Sequence, residues 1–223
     1  CILNSMRRST DPELLDAPAP DTATLRGNLR DMAQYDLRLG TFALALKLAT
    51  DELRDATTAL DVGAGNGAFI AFASSRSTLK WMGVDASPAV LRITHEQCSA
   101  PLIAARGQQL SFPADHFDVT VCANTLHHLN EDDAVALIRE CARVTRQRVV
   151  IVDLARSRLT LIGAWLLTRL TSRNRMTLAD GVQSARRAYT PAEAATLATR
   201  AGHQARIRRH GFFHFSMVIT QKR

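Results

Sequence analysis

The stretch Leu60-Asp61-Val62-Gly63-Ala64-Gly65-Asn66-Gly67-Ala68 decides how this 223-residue chain is read. An apolar run, Thr58–Val62, leads into three glycines at alternate positions, and a helical pattern follows over residues 67–75. Gly63 permits a tight turn, and Gly65 lets backbone approach a bound ligand. Gly67 does the same or allows close helix packing. The next apolar run, Lys80–Asp85, ends on a carboxylate that can take both hydroxyls of a ribose. Together these features predict a nucleoside-binding βαβ unit. Read as Gly63-x-Gly65-x-x-Ala68, the loop also fits the relaxed dinucleotide fingerprint. Asp61 argues against that, because a carboxylate beside a pyrophosphate is unfavourable, whereas it suits a ligand carrying an ammonium group.

Outward from the loop, apolar runs recur at residues 102–105, Phe117–Ala123 and residues 148–153. Helical patterns over residues 87–99 and 131–145 lie between them. Buried strands alternating with helices predict a parallel sheet covered on both faces. Ser87-Pro88 reads as an N-cap with Pro at the first helical position. Thr190-Pro191-Ala192-Glu193 reads as a capping box whose helix closes at Gly202. Residues 203–209 and 214–220 form a final pair of strands about Gly211, which leaves one antiparallel strand in the sheet. Ahead of the first strand, Asp11-Pro12-Glu13 opens a short helix. Leu25, Leu29, Met32 and Leu37 then mark an amphipathic helix ending near Gly40, and residues 41–53 a second, apolar one. Residues 1–5 precede Met6 without pattern and read as a tag remnant with Met6 the native start; with the helices they make an N-terminal cap over residues 1–55. The expected class is α/β: a Rossmann-like doubly wound sheet over residues 56–223, with an apolar helix inserted near 158–172.

A composition of 46% hydrophobic and 22% charged residues excludes a disordered chain, a collagen-like fibre and a disulfide scaffold. The longest apolar stretch, residues 159–167, falls far short of the roughly 20 residues that span a bilayer. The N-terminus lacks the apolar region of a signal peptide. Cys1, Cys98, Cys122 and Cys141 form no CxxC pair and have no His at zinc-site spacing, so a reduced, cytoplasmic, metal-free protein is expected. The net charge of +7 is uneven: residues 1–149 hold 15 Lys/Arg against 18 Asp/Glu, and residues 150–223 hold 13 against 3. Such asymmetry points to an anionic partner (a carboxylate or phosphate substrate, an acidic carrier protein, a membrane surface or nucleic acid) or to a solvated basic face.

Asp61-x-Gly63-x-Gly65-x-Gly67 resembles motif I of the class I S-adenosylmethionine-dependent methyltransferases, and Asp85-Ala86-Ser87 their acidic ribose-binding motif. The stretch from Leu110 to Val119, with Leu126-His127-His128-Leu129, Glu140-x-x-Arg143-Val144 and Tyr189-Thr190-Pro191-Ala192-Glu193, is similar to the ubiquinone/menaquinone-biosynthesis-type branch. The resemblance covers about residues 57–223 and implies a seven-stranded sheet with the last strand antiparallel. It implies that Gly63, Ala64, Gly65 and Gly67 line the methionine moiety with Asp61 near its ammonium. Asp85 would bind the ribose, Ala86 would lie against the adenine, and Asn124 would stand near the sulfonium. The family often has an Asp for the adenine amino group where this chain has Arg106-Gly107-Gln108, so Gly107 backbone or Gln108 must serve instead.

Methyl transfer from a sulfonium requires alignment and exclusion of water, with a base only where the acceptor is protonated. His127 and His128, after the fourth strand, are the first candidates for that base, or else fix the loop through backbone. Asp153, ending the fifth strand, orients a histidine or the acceptor, or pairs with an arginine such as Arg156. Arg186, Arg187 and Tyr189 hold an acidic acceptor or form a solvated face. The helix around Trp165 is apolar nearly all round and reads as a lid on a substrate pocket, a homodimer surface or a membrane-touching helix. The expected activity is methyl transfer to a small lipophilic acceptor, aromatic, quinone or polyketide-like, at oxygen, with C-methylation open. The alternatives are a nucleic-acid methyltransferase, disfavoured by only 5% aromatics, and a non-catalytic S-adenosylmethionine-binding subunit.

Overall fold

The computed structural model describes residues 6–16, 21–51, 53, 55–96 and 98–221. The expected tag remnant, with Cys1, lies outside them. Asp21 caps α1 (Thr22–Arg38), its carboxylate accepting from the Thr24 amide at 2.8 Å. Gly40, at φ 78°, turns the chain into α2 (Thr41–Thr50). There follow β1 (Thr58–Val62), α3 (Ala68–Ser74), β2 (Lys80–Asp85), α4 (Pro88–Thr94), β3 (Leu102–Ala104), β4 (Phe117–Ala123), α5 (Glu131–Val144) and β5 (Thr145–Leu154). The chain ends with α6 (Arg158–Thr171), α7 (Arg175–Arg187), α8 (Pro191–Arg200), β6 (Arg206–His210) and β7 (His214–Thr220).

The seven strands lie in the order β3-β2-β1-β4-β5-β7-β6, all parallel except β7, which runs antiparallel to both its neighbours. This is the Rossmann-like sheet expected, and its switch point lies between β1 and β4, where the strand order reverses. Alternate residues of the central strands feed two cores. Leu60, Val149 and Ile151 pack with α5 and α8 on one face, and Ala59, Val119 and Val150 pack with α2 and α3 on the other. A third cluster joins Leu25 and Leu29 of α1 to Val90 and Ile93 of α4 and Met176 of α7, which draws the N-terminal helix across the carboxyl edge of the sheet.

α7 has no counterpart among the elements expected from the sequence: Asn174 caps it, accepting from the Met176 and Thr177 amides, and its Gly181 lies against Thr168 of α6. Three expectations on elements are corrected. α4 ends at Thr94 rather than near residue 99, and β5 begins at Thr145, three residues early. The segment after Asp11 forms a single 3-10 turn, Leu14–Asp16. Among the described residues no helix is long and apolar enough to cross a membrane, and Cys98, Cys122 and Cys141 are free.

Candidate active site

The ends of β1, β2 and β4 and the loops leaving them frame a cavity of about 530 Å³. At its floor Gly63, at φ 79°, reverses the chain so that its own amide and that of Ala64 donate to the Val84 carbonyl at 2.9 and 3.0 Å. A Cβ on Gly63 would stand 2.1 Å from Thr125 Oγ1, so no side chain fits. Gly65, at φ 54°, has nothing nearer than 4.0 Å where a Cβ would project. Its amide donates to Asp85 Oδ2 at 3.0 Å, while Asp85 Oδ1 accepts from the Ser87 amide at 2.9 Å. Asp85 therefore anchors the glycine loop as well as facing the cavity. Gly67 does not line it: a Cβ there would meet Cys98 and Thr94, so this glycine serves packing. Ala86, Gly107 and Gln108 do line it.

Three carboxyl groups face the cavity. Asp61 is 2% exposed, and burial, reinforced by neighbouring Asp85, pushes its carboxyl up to about 8. Burial also raises Asp85, against the lowering effect of its two amide donors. A third carboxylate, Asp36, reaches the cavity from α1 and accepts from Asn124 Nδ2 at 2.5 Å. Burial raises it to about 7 despite the bonds from Thr41 and Asn124. Asn124 itself holds φ 49°, uncommon outside glycine, and its Oδ1 is buried with no partner among the described residues. Asp36 was missed in the sequence, although the apolar stripe Leu25, Leu29, Met32 continues by one more helical step onto it. A carboxylate on the buried face of an amphipathic helix is the signal.

The two histidines part. His127 is 1% exposed, with Nδ1 2.6 Å from Asp153 Oδ1 and its amide donating to Asp153 Oδ2 at 3.1 Å. Burial would raise Asp153, but the His127 ring together with the His127 and Leu154 amides holds the carboxyl low. His127 Nε2 faces Glu13 Oε1 at 3.7 Å, and neither atom has a hydrogen-bond partner among the described residues. His128 does line the cavity, with Nδ1 3.2 Å from Asp16 Oδ1. Burial alone would lower it, but Glu13 and Asp16 lift it to about 9.

Glu13 and Asp16 belong to an N-terminal strap, residues 6–16, which lies over this corner. The expected substrate residues Arg187 and Tyr189 hold the strap and do not line the cavity. Arg187 is buried, donating to the His127 carbonyl at 3.1 Å and the Asp11 carbonyl at 3.0 Å. Arg8 of the strap donates to the carbonyls of Arg187, His127 and Leu129 and stacks 3.9 Å over the Tyr189 ring. Tyr189 Oη donates to the same Leu129 carbonyl. Arg186 is exposed, and its carbonyl accepts from the Ser9 amide at 3.1 Å. Trp165 is 46% exposed and away from the cavity, so α6 is not its lid. Arg156 pairs with Glu193 rather than Asp153. Glu13, His127 and His128 offer ligand atoms within 4.8 Å of one another, yet Arg187 and protonated His128 already pair with Glu13 and Asp16, which makes the cluster an ion-paired latch.

Residues 59–148 match the family described as a methyltransferase domain. Over these residues the chain carries a methyltransferase domain. The methyltransferase has the fold of a SAM-dependent methyltransferase from Aquifex aeolicus, at 17% identity and a TM-score of 0.64 over 91% of this chain and 99% of that one. It likewise resembles the plantazolicin methyltransferase BpumL in complex with SAH (13%, 0.66, 90% and 95%) and the PH0226 protein from Pyrococcus horikoshii OT3 (15%, 0.62, 85% and 92%). No curated protein matches the chain. The BpumL structure holds SAH, and the residues of the present cavity fit S-adenosylmethionine. Three carboxylates and an orphaned amide oxygen suit a ligand with two cationic centres, and Gly65 leaves the space that its backbone approach needs.

Proposed function

We propose that this methyltransferase belongs to the ubiquinone/menaquinone-biosynthesis-type branch and methylates a small lipophilic acceptor, aromatic, quinone or polyketide-like, at oxygen. The observation that carries this reading is Asp36. It is an oriented carboxylate poised near neutrality, on a cavity wall to which Leu15, Leu29, Met32, Phe42 and Leu129 contribute apolar surface. A phenolic or enolic hydroxyl gains from such a base, whereas a carboxylate acceptor would not. A second groove of about 1180 Å³, with Arg30 and Arg76 in its lining, shares Leu29, Ala33, Phe42 and Asn66 with the cavity. It suits an elongated apolar acceptor with an anionic or carrier-bound end.

S-adenosylmethionine, when bound, supplies an electrophilic methyl group on a sulfonium. In this reading Asp61 holds the ammonium, Asp85 the ribose hydroxyls, and Gln108 the adenine amino group in place of the usual carboxylate. Asp36 takes the acceptor's hydroxyl proton while Asn124 Nδ2 keeps the carboxylate aimed. Protonated His128 attracts the acceptor oxygen as its charge develops, and the apolar wall excludes water. His127 and Asp153 act by position, as the post to which the strap is tied. The test is turnover of a panel of hydroxyarenes with 13C-methyl-labelled cofactor. The product methyl should resonate as a methoxy carbon, and Asp36→Asn should lose turnover while binding S-adenosylhomocysteine normally. A C-methyl resonance, or an undiminished Asp36→Asn, would overturn the assignment.

A further inference from the structure

One side of α6 is packed and the other is bare. Inward, Gly163 lies so close to Phe213 that a Cβ would stand 2.6 Å from its ring, and Thr168 contacts Gly181 of α7. Outward, Leu159, Ile162, Leu166 and Leu170 recur at intervals of three, four and four, with Trp165 beside them. They are 54, 54, 43, 80 and 46% exposed, respectively. Phe212, in the turn between β6 and β7, is 63% exposed and extends the patch at the helix N-terminus, where its carbonyl accepts from Thr160 Oγ1 at 3.2 Å. An apolar face of this extent marks an interaction surface.

The charges around it are of one sign. Arg158, Arg169, Arg173 and Arg209 are exposed, and the Arg169 guanidinium sits 5.5 Å over the Trp165 ring. Among the described residues none of these four pairs with a carboxylate, whereas the exposed Arg26, Arg146 and Arg200 all do. The sequence has no Asp or Glu from residue 154 to 179 and none after Glu193. A second copy is a poor occupant, because a twofold pairing would set arginines against arginines with no acid between them.

We propose that this face docks the protein on an anionic lipid bilayer, α6 lying in the interface with its leucines among the acyl chains and its arginines on headgroup phosphates. At 14 residues, about 21 Å long, the helix is suited to lie in a membrane surface and not to cross it. A Trp at the boundary of apolar and charged surface sits where headgroups meet acyl chains. The inference does not depend on the acceptor assigned above.

The test is co-sedimentation of the whole protein with vesicles of phosphatidylcholine, with and without phosphatidylglycerol. Tryptophan emission is read in parallel, and since Trp81 is only 5% exposed, a vesicle-induced blue shift reports Trp165. Binding should be at least about tenfold tighter to the anionic vesicles and shift the emission to the blue. It should be lost in Ile162→Asp/Leu166→Asp and in Arg169→Glu/Arg173→Glu, both still binding S-adenosylhomocysteine. No sedimentation, or equal binding to neutral vesicles, would overturn the proposal. A dimer abolished by Ile162→Asp/Leu166→Asp, without vesicle binding, would overturn it in favour of a second copy.

Discussion

Replacing Asp61 with Asn should weaken cofactor binding only where Asp61 is ionised, and so by an amount that grows with pH. In the free protein burial and Asp85 hold this carboxyl at about 8, so near neutrality it is largely neutral and the Asn amide mimics it. A cationic ligand head draws out the ionised form. A hydrogen bond to a charged group contributes about 1.5–3 kcal/mol, roughly 10- to 150-fold in affinity. Taking a 100-fold limit with a pKa of about 8, the wild-type advantage over Asp61→Asn is about 2-fold at pH 6, 10-fold at pH 7 and 50-fold at pH 8. Calorimetric titration with S-adenosylhomocysteine at these three values measures it, and the ratio of variant to wild type cancels any titration of the ligand itself. The same group makes a prediction of opposite sign for the unliganded fold. A carboxyl whose folded pKa is raised loses stability as pH climbs from about 4 to about 8, so unliganded Asp61→Asn should melt above wild type at pH 8, the gap closing in acid. A ratio independent of pH, or a variant less stable than wild type at pH 8, would refute the argument that a buried, unpaired Asp61 is the cationic subsite.

The other predictions concern the loop and the strap. Gly63→Ala places a Cβ 2.1 Å from Thr125 Oγ1 at φ 79°, and S-adenosylhomocysteine binding should become undetectable by calorimetry. Asp153→Ala strips the buried His127 of its partner and should cost about 3–5 kcal/mol in urea unfolding. Because His128 is raised to about 9 from an ordinary 6.5, its contribution to stability is complete below about 6.5 and lost as pH rises through about 9. The melting-temperature difference between wild type and His128→Gln should shrink across that window. Arg8→Ala removes three bonds to carbonyls and the stack on Tyr189, and should speed amide exchange in residues 9–16 while leaving that of β1 and β4 unchanged.

What was legible in the sequence is what local pattern dictates. The glycine spacing, the carboxylate ending β2, the strand alternation and both caps at Ser87 and Thr190 are written in contiguous residues, and the sheet follows from them. The strap was not legible, because its bonds join residues more than a hundred positions apart, as Arg8 does to His127 and Leu129. Arg187 and Tyr189 looked like hands for a substrate for the same reason: an arginine beside a buried tyrosine reads alike whether it grips a ligand or a distant piece of its own chain. α7 escaped because Gly181 and its polar surface weaken the helical pattern, while its stability comes from packing on α6 and α1. Asp36 was half legible, breaking an apolar stripe that only a cavity on that side explains.

The central claim is that the Gly63–Gly67 loop (residues 63–67) and Asp85 bind S-adenosylmethionine, and the most direct test is calorimetric titration of wild type and Asp85→Ala with S-adenosylhomocysteine, with NAD as the paired ligand. Saturable one-to-one binding of S-adenosylhomocysteine by the wild type is expected, with none by Asp85→Ala and no binding of NAD by either. Binding of NAD alone, or an affinity for S-adenosylhomocysteine that survives the loss of Asp85, would contradict it.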